Sequence, residues 1–283
     1  MEKSREIEKS LIKKYRRELW TKFIKAIGQY ELIKENDTIA VCISGGKDSM
    51  LLAKLMQELQ CHGQVKFDLK FITMDPGYHA DNIELIKANA KLLDIPLEIF
   101  KSDIFEVVSK HAADNPCYMC ARMRRGHLYA KAKALGCNKI ALAHHYDDAI
   151  ETIMLNILYN GSYKTMMPKL KSDNFEGMEL IRPLYLVGET DIKNWVNYHD
   201  LTFMNCGCMI SVCSTATKRG EVKELIKTLQ AVNPYARQNI FASSENVNLD
   251  MVIGYQKDDL KHTFLDNYDR PLQVSKLTNK KKK

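Results

Sequence analysis

Thr38-Ile-Ala-Val-Cys-Ile43 runs directly into Ser44-Gly45-Gly46-Lys47-Asp48-Ser49, and that into Met50-Leu-Leu-Ala-Lys-Leu-Met-Gln-Glu-Leu59. The first stretch is a short, nearly continuous apolar run, the pattern of a strand buried on both faces. The last has the spacing of a helix. Two glycines between them allow a tight turn and a close backbone approach to a ligand. The N–H groups at the helix start then form an anion site, reinforced by the helix dipole. Ser44 and Ser49 add hydroxyl donors, and Lys47 adds positive charge. The glycine spacing is not that of the Walker loop, and Asp48 follows the lysine.

Working outward, the same alternation recurs. Strands are expected at 66–73, 97–100 and 139–143, with helices over about 81–93, 121–135 and 149–159. This implies an α/β fold: a parallel sheet with right-handed crossovers and helices on both faces. Upstream, residues 5–30 read as one basic amphipathic helix, with Ile12, Leu19, Phe23 and Ile27 near helical spacing. Downstream, 160–177 reads as a loop, 189–199 and 221–229 as helices, and 233–268 as irregular chain packed on the main body. The expected organisation is an N-terminal helix (1–30), a nucleotide-binding domain (31–200) and a C-terminal irregular and helical extension (201–283).

The 283 residues are 45% apolar and 27% charged, ordinary values for a globular chain. No window approaches ~18 uninterrupted apolar residues, so no membrane partner is expected. The charged N-terminus lacks the pattern of a secretory signal, which points to the cytoplasm. The net charge of +7 is uneven. Residues 1–25 carry nine Lys/Arg against four Glu, residues 117–139 carry six Lys/Arg and no acid, and 280–283 are four lysines. Basic clusters of this kind suit a polyanion such as nucleic acid. Lys13, Lys14, Arg16 and Arg17, and separately Arg122, Arg124 and Arg125, are the candidate RNA contacts.

Ligands of open parallel sheets sit at the carboxyl ends of the strands. Thr73, Met74 and Asp75 end the second strand and are candidates to line adenine and ribose. His144, His145, Asp147 and Asp148 follow a later strand. Adjacent carboxylates beside phosphates suit Mg²⁺, and His145 is the candidate phosphate donor or proton carrier. Capping of the next helix is the competing use of the two aspartates.

Of the eight cysteines, Cys42, Cys61 and Cys137, as isolated residues, read as small buried apolar groups. Cys117-Tyr-Met-Cys120 is a metal-ligand spacing, and Cys206, Cys208 and Cys213 form a second group. A redox CxxC is disfavoured by that second group. From spacing alone a structural zinc site is favoured over an iron–sulfur cluster.

Four ordered motifs carry a resemblance. Ser44–Ser49 resembles the pyrophosphate loop of the ATP-pyrophosphatase (PP-loop) superfamily, whose fold is adenine nucleotide alpha hydrolase-like. Pro116-Cys117-Tyr-Met-Cys120-Ala-Arg122-Met-Arg124-Arg125-Gly-His-Leu-Tyr129 resembles the central motif of the tRNA 2-thiocytidine synthetase (TtcA) family. Ala143-His144-His145-Tyr-Asp147-Asp148-Ala-Ile-Glu151-Thr152 resembles that family's GHHxDDxxET element. Arg182-Pro-Leu184, Asp191-Ile192 and Cys206 match its third region in order.

The resemblance implies a tRNA sulfurtransferase that adenylates a base carbonyl, in the family that of an anticodon-loop cytidine, and replaces its oxygen with sulfur. It implies ATP, Mg²⁺ and a [4Fe-4S] cluster on three cysteines: Cys117, Cys120 and Cys206, with Cys208 the alternative for the third. It assigns Ser44–Ser49 to pyrophosphate and gives Lys47, Asp48, His145 and Asp148 catalytic roles. Its partners are tRNA and sulfide or a cysteine-desulfurase donor, with a homodimer left open. The alternatives are a zinc-containing PP-loop ligase without sulfur transfer and a non-catalytic nucleotide- and RNA-binding protein.

Overall fold

A computed structural model describes residues 2–102, 104, 116–204 and 214–268; the side chains of residues 2, 116–118, 121, 214–217 and 267 lie outside that description. A six-stranded sheet forms the centre: β1 (Thr38–Cys42), β2 (Asp68–Asp75), β3 (Leu97–Lys101), β4 (Lys139–Ala141), β5 (Lys169–Lys171) and β6 (Glu179–Ile181), in spatial order β3-β2-β1-β4-β6-β5. β1, β2, β3, β4 and β6 pair in parallel, and only β5 runs antiparallel, against β6.

Alternation along β1 sorts its side chains to two cores. Ile39, Val41 and Ile43 join one apolar cluster with α3 (Lys47–His62), α4 (Ala80–Leu92) and α7 (Glu189–Tyr198). Ala40 and Cys42 face the other way, toward Tyr129 and Ala132 of α5 (Pro116–Ala134). Both faces are therefore covered, as a parallel sheet requires. A third cluster joins α6 (Tyr146–Asn160) to α8 (Ser214–Val232) and α9 (Ala236–Ser243) through Ile150, Val222 and Phe241.

The single helix expected over 5–30 is instead two, α1 (Glu2–Ile12) and α2 (Thr21–Gln29), joined by a π-helical turn at Arg16–Trp20. The Tyr15 N–H donates to the Ser10 carbonyl five residues back at 2.8 Å, which inserts an extra residue into the turn. The insertion keeps Leu19 and Phe23 on the same face as Ile7 and Leu11, and all four are fully buried. At ~1.5–3 kcal/mol per large apolar side chain, that burial outweighs the lost helix geometry.

Two further differences lie downstream. The 160–177 region contains β5. Residues 233–268 are not irregular, since they form α9 and a hairpin of β7 (Gly254–Lys257) and β8 (Leu260–Thr263). These strands are only four residues long, too short for a period-two pattern to stand out.

Candidate active site

The chain leaves β1 toward β2 and β3 on one side, and leaves β4 toward β6 on the other. Between the carboxyl ends of β1 and β4 the strand order reverses, and a crevice opens there. A cavity of about 290 Å³ occupies it. One wall is Cys42–Ser44 with Asp48 and Ser49, and the facing wall is Leu142–His144 with Asp148. Met74, Tyr78, Arg124 and Leu128 close the remaining side. The mixture of apolar surface and convergent polar groups suits a nucleotide.

The phosphate loop has the expected turn. Gly45 adopts φ +86, a conformation that favours glycine. Ser49, however, is committed to the loop itself and is 2% exposed. Its hydroxyl donates to the Gly46 carbonyl at 2.8 Å and accepts from the Ser44 N–H at 3.2 Å. Its proton is thus used within the loop, although Ser49 also lines the cavity. Lys47 does not line the cavity. Its ammonium lies 3.1 Å from Asp48 and 3.4 Å from Glu189.

Asp48 Oδ1 is buried with no hydrogen-bond partner among the described residues. An unpaired carboxylate oxygen at a cavity is costly, and a bound divalent cation would satisfy it. Among the described residues no three His, Cys, Asp or Glu side chains converge as a ready metal site. Mg²⁺ fits such a place because it takes one or two carboxylates plus phosphate and water oxygens.

On β2, Met74 lines the cavity, whereas Thr73 and Asp75 position others. Thr73 is fully buried, and its hydroxyl donates to the Ile43 carbonyl at 2.9 Å, tying β2 to the end of β1. Asp75 Oδ1 accepts from the N–H groups of Gly77 at 3.0 Å and Tyr78 at 2.8 Å. That turn delivers Tyr78 to the cavity. Tyr78 was not legible as a site residue because nothing in the Asp75-Pro76-Gly77-Tyr78 string says where the turn points.

The adjacent histidines separate. His144 lines the cavity, and its Nδ1 accepts from Arg182 Nε at 3.3 Å. Burial, then the charge of Arg182, push the His144 imidazole down to about 4. His145 is buried at 7% exposure and does not line the cavity. Its N–H donates to Asp148 Oδ2 at 2.9 Å, at the start of α6. Of the two histidines, His144 is therefore the one whose side chain lines the cavity.

The adjacent aspartates separate too. Asp148 lines the cavity while capping α6. Asp147 points into a second, polar cleft, where Oδ1 pairs with Arg237 and Oδ2 accepts from the Glu189 N–H at 2.7 Å. Neighbours on a helix diverge by ~100°, so the two carboxylates line different clefts here.

Cys42 and Cys137 are buried, whereas Cys61, near the end of α3, is exposed, which corrects its reading as a buried group; Cys42 also lines the cavity. Burial pushes its thiol up to about 12, so it is inert. Cys120 is half-buried in α5, against Met74 and Ile104. Arg124 lies one helical turn further along and reaches the cavity, with its guanidinium 5.9 Å from the Tyr78 ring centre. The side chain of Cys117 and both Cys206 and Cys208 lie outside the described residues. Arg122, Arg125, Lys13, Lys14, Arg16 and Arg17 are exposed, and Lys14 sits 3.2 Å from the Tyr198 ring centre.

This cavity and loop belong to a known group. Residues 15–206 match the PP-loop domain. A curated relative from Citrifermentans bemidjiense, named tRNA-cytidine(32) 2-sulfurtransferase, is 36% identical over 228 residues, covering 79% of this chain and 88% of its own. The protein of that name from Geotalea uraniireducens is 37% identical over 227 residues, covering 79% and 88%. The chain belongs to the tRNA-cytidine(32) 2-sulfurtransferase family. Among solved structures, the U34-tRNA thiolase NcsA from Methanococcus maripaludis with its [4Fe-4S] cluster matches with a TM-score of 0.65 at 22% identity, covering 83% of each chain. That likeness establishes the shared fold. No helix among the described residues of this family member is long and apolar enough to cross a membrane.

Proposed function

We propose that this chain is an ATP-dependent tRNA sulfurtransferase that converts cytidine in the anticodon loop to 2-thiocytidine. The observation that carries the reading is a juxtaposition. Cys120 and Arg124 share one face of α5, and Arg124 lines the same cavity as the phosphate loop. A thiol and a cavity-lining arginine thus lie within one helical turn of each other, which supports a sulfur site next to the nucleotide site. The family membership supports the same reaction.

A carbonyl oxygen is a poor leaving group. In the proposed chemistry the cytidine O2 bonds to the α-phosphorus of ATP, and the bond from that phosphorus to the bridging oxygen breaks, releasing pyrophosphate. A C2–S bond then forms as the C2–O bond breaks, and AMP carries the oxygen away. Loop N–H groups hold the phosphates, and His144 donates from the opposite wall. Asp48 and Asp148 would hold Mg²⁺, which offsets the developing charge on pyrophosphate. Arg124 and the exposed arginines beside it attract the RNA backbone. An unstacked loop base enters at a cost of a few kcal/mol.

Cys120, with Cys117 and Cys206, would hold a [4Fe-4S] cluster, with Cys208 the alternative third ligand. The apolar surroundings of Cys120 suit such a group. When bound through three cysteines, the cluster supplies an open iron for sulfide. Sulfide completes the balance as it stands; persulfide sulfur from a cysteine desulfurase would do so only with a two-electron reductant, such as a dithiol that is oxidised to its disulfide. Mass spectrometry of tRNA nucleosides from cells with and without this gene tests the reading. Loss of 2-thiocytidine on deletion is expected; an unchanged nucleoside profile would overturn it.

A further inference from the structure

Arg182 follows β6 directly and is buried at 5% exposure. Its Nε donates to His144 Nδ1 at 3.3 Å, and its Nη1 donates to the Met167 carbonyl. Its own backbone N–H is held by the Pro168 carbonyl at 2.9 Å. The Met167 carbonyl thus holds the guanidinium, and the Pro168 carbonyl its backbone, with Nε against one ring nitrogen of a histidine that lines the cavity.

A guanidinium has donors and no acceptor. His144 Nδ1 must therefore accept, whichever way hydrogens are placed. A neutral imidazole that accepts at Nδ1 carries its proton on Nε2. We infer that Arg182 is a positioning residue that locks His144 in the Nε2–H form, so that the cavity is offered a fixed hydrogen-bond donor for a phosphate oxygen of the bound nucleotide, and never a general base.

The charged surroundings agree. The groups facing His144 are Arg182, Asp148, Arg219 and His145. Of these Asp148 favours a second proton, while burial, the two arginines and His145 oppose it. The expected division of labour is that His144 donates to an oxyanion and the proton count of the site stays constant near neutral pH. The inference rests on the adenylation reading for the identity of the ligand, but the tautomer itself does not.

The test is ¹⁵N NMR of histidine-labelled full-length protein, with His144 assigned by its loss in His144→Asn. The expected spectrum has an unprotonated Nδ1 and a protonated Nε2 from pH 6 to 8. A protonated Nδ1, or a doubly protonated ring in that range, overturns the inference. A second arm measures AMP formation with tRNA. Arg182→Met should lower kcat roughly 100-fold, the size of losing one preorganised donor, and Arg182→Gln, which keeps an N–H donor, should recover most of it. In a His144→Ala background Arg182→Met should cost less than about 3-fold more. A full ~100-fold loss in that background would mean that Arg182 does not act through His144. If Arg182→Met does not fold, the wild-type spectrum still decides. If wild-type protein forms no AMP with tRNA, the proposed function fails while the tautomer result stands.

Discussion

The Lys47 ammonium stands 3.4 Å from a carboxylate oxygen of Glu189, a residue far along the chain at the first turn of α7. Lys223 reaches the same carboxylate at 2.6 Å and Lys193 at 3.0 Å. Glu189 thus ties the phosphate loop to α8. Burial pushes its carboxyl up, but hydrogen bonds from Lys223 and Lys193, with the charges of Lys223 and Lys47, outweigh this and hold it at about 2. A depressed carboxyl contributes stability that is present above its unfolded pKa of ~4.3 and is lost as pH falls toward 2. The contribution is up to roughly 3 kcal/mol, reduced by solvent screening at the half-exposed lysines. Glu189→Gln should therefore be less stable than wild type at pH 7, and the two should converge between about pH 5 and 2. Urea unfolding across that range measures the gap; a gap independent of pH would refute the ion-pair account.

Gly45 offers a sharper test of the phosphate loop. A Cβ there would lie 2.6 Å from Ile86 Cγ1, and Ile86 is itself fully buried. The φ of +86 adds strain of order 1–2 kcal/mol for any L side chain. Gly45→Ala should loosen the loop, lower ATP affinity by at least about 10-fold and reduce the melting temperature by a few degrees. Calorimetric titration with a non-hydrolysable ATP analogue reads the first effect. An affinity within 2-fold of wild type would show that loop conformation does not set phosphate binding.

The strand–loop–helix at 38–59 was legible because one local pattern, apolar run then glycines then helix, has one common solution. The alternation that follows was legible for the same reason, and it locates the crevice between β1 and β4. What could not be read is where a side chain points once two residues of one type stand side by side. His144 and His145 are both plausible ligand contacts in a string of letters, and the cavity takes only the first. Asp147 and Asp148 divide the same way, because a partner far along the chain, Arg237, claims Asp147. Arg182 was legible as part of a motif, but its contact with His144 spans 38 residues and depends on β6 lying next to β4. The π turn at 16–20 was hidden because Ile12, Leu19, Phe23 and Ile27 keep helical spacing across it, while the fully buried residue before the turn is Leu11.

The cysteines give a prediction with two separable readouts. Cys117→Ala, Cys120→Ala and Cys206→Ala should each abolish thiolation and remove iron after anaerobic reconstitution. ATP affinity should stay within about 3-fold, since of these only the Cys120 side chain is described, and it packs with Met74 and Ile104 and is not among the cavity-lining residues. Thiolation retained in Cys206→Ala but lost in Cys208→Ala would move the third ligand to Cys208. A colourless protein holding only zinc would remove the cluster from the proposal.

The two aspartates at the start of α6 make opposite predictions. Asp148 lines the cavity across from Asp48, whose Oδ1 is unpaired among the described residues. Asp148→Asn keeps an oxygen that can accept the His145 N–H, so the helix cap survives. It removes a negative charge from the proposed cation site, so the Mg²⁺ concentration needed for half-maximal AMP formation should rise by about 10-fold or more. Asp147 faces away, paired with Arg237 and accepting the Glu189 N–H. Asp147→Asn leaves a half-buried arginine without its counter-charge, at a cost of roughly 1–3 kcal/mol. Its signature should be a lower melting temperature with the Mg²⁺ requirement unchanged. Magnesium titrations of AMP release, run beside thermal melts of both variants, separate the two roles. Should Asp147→Asn raise the Mg²⁺ requirement as much as Asp148→Asn does, both carboxylates serve the cation, and the second cleft must rearrange when nucleotide binds.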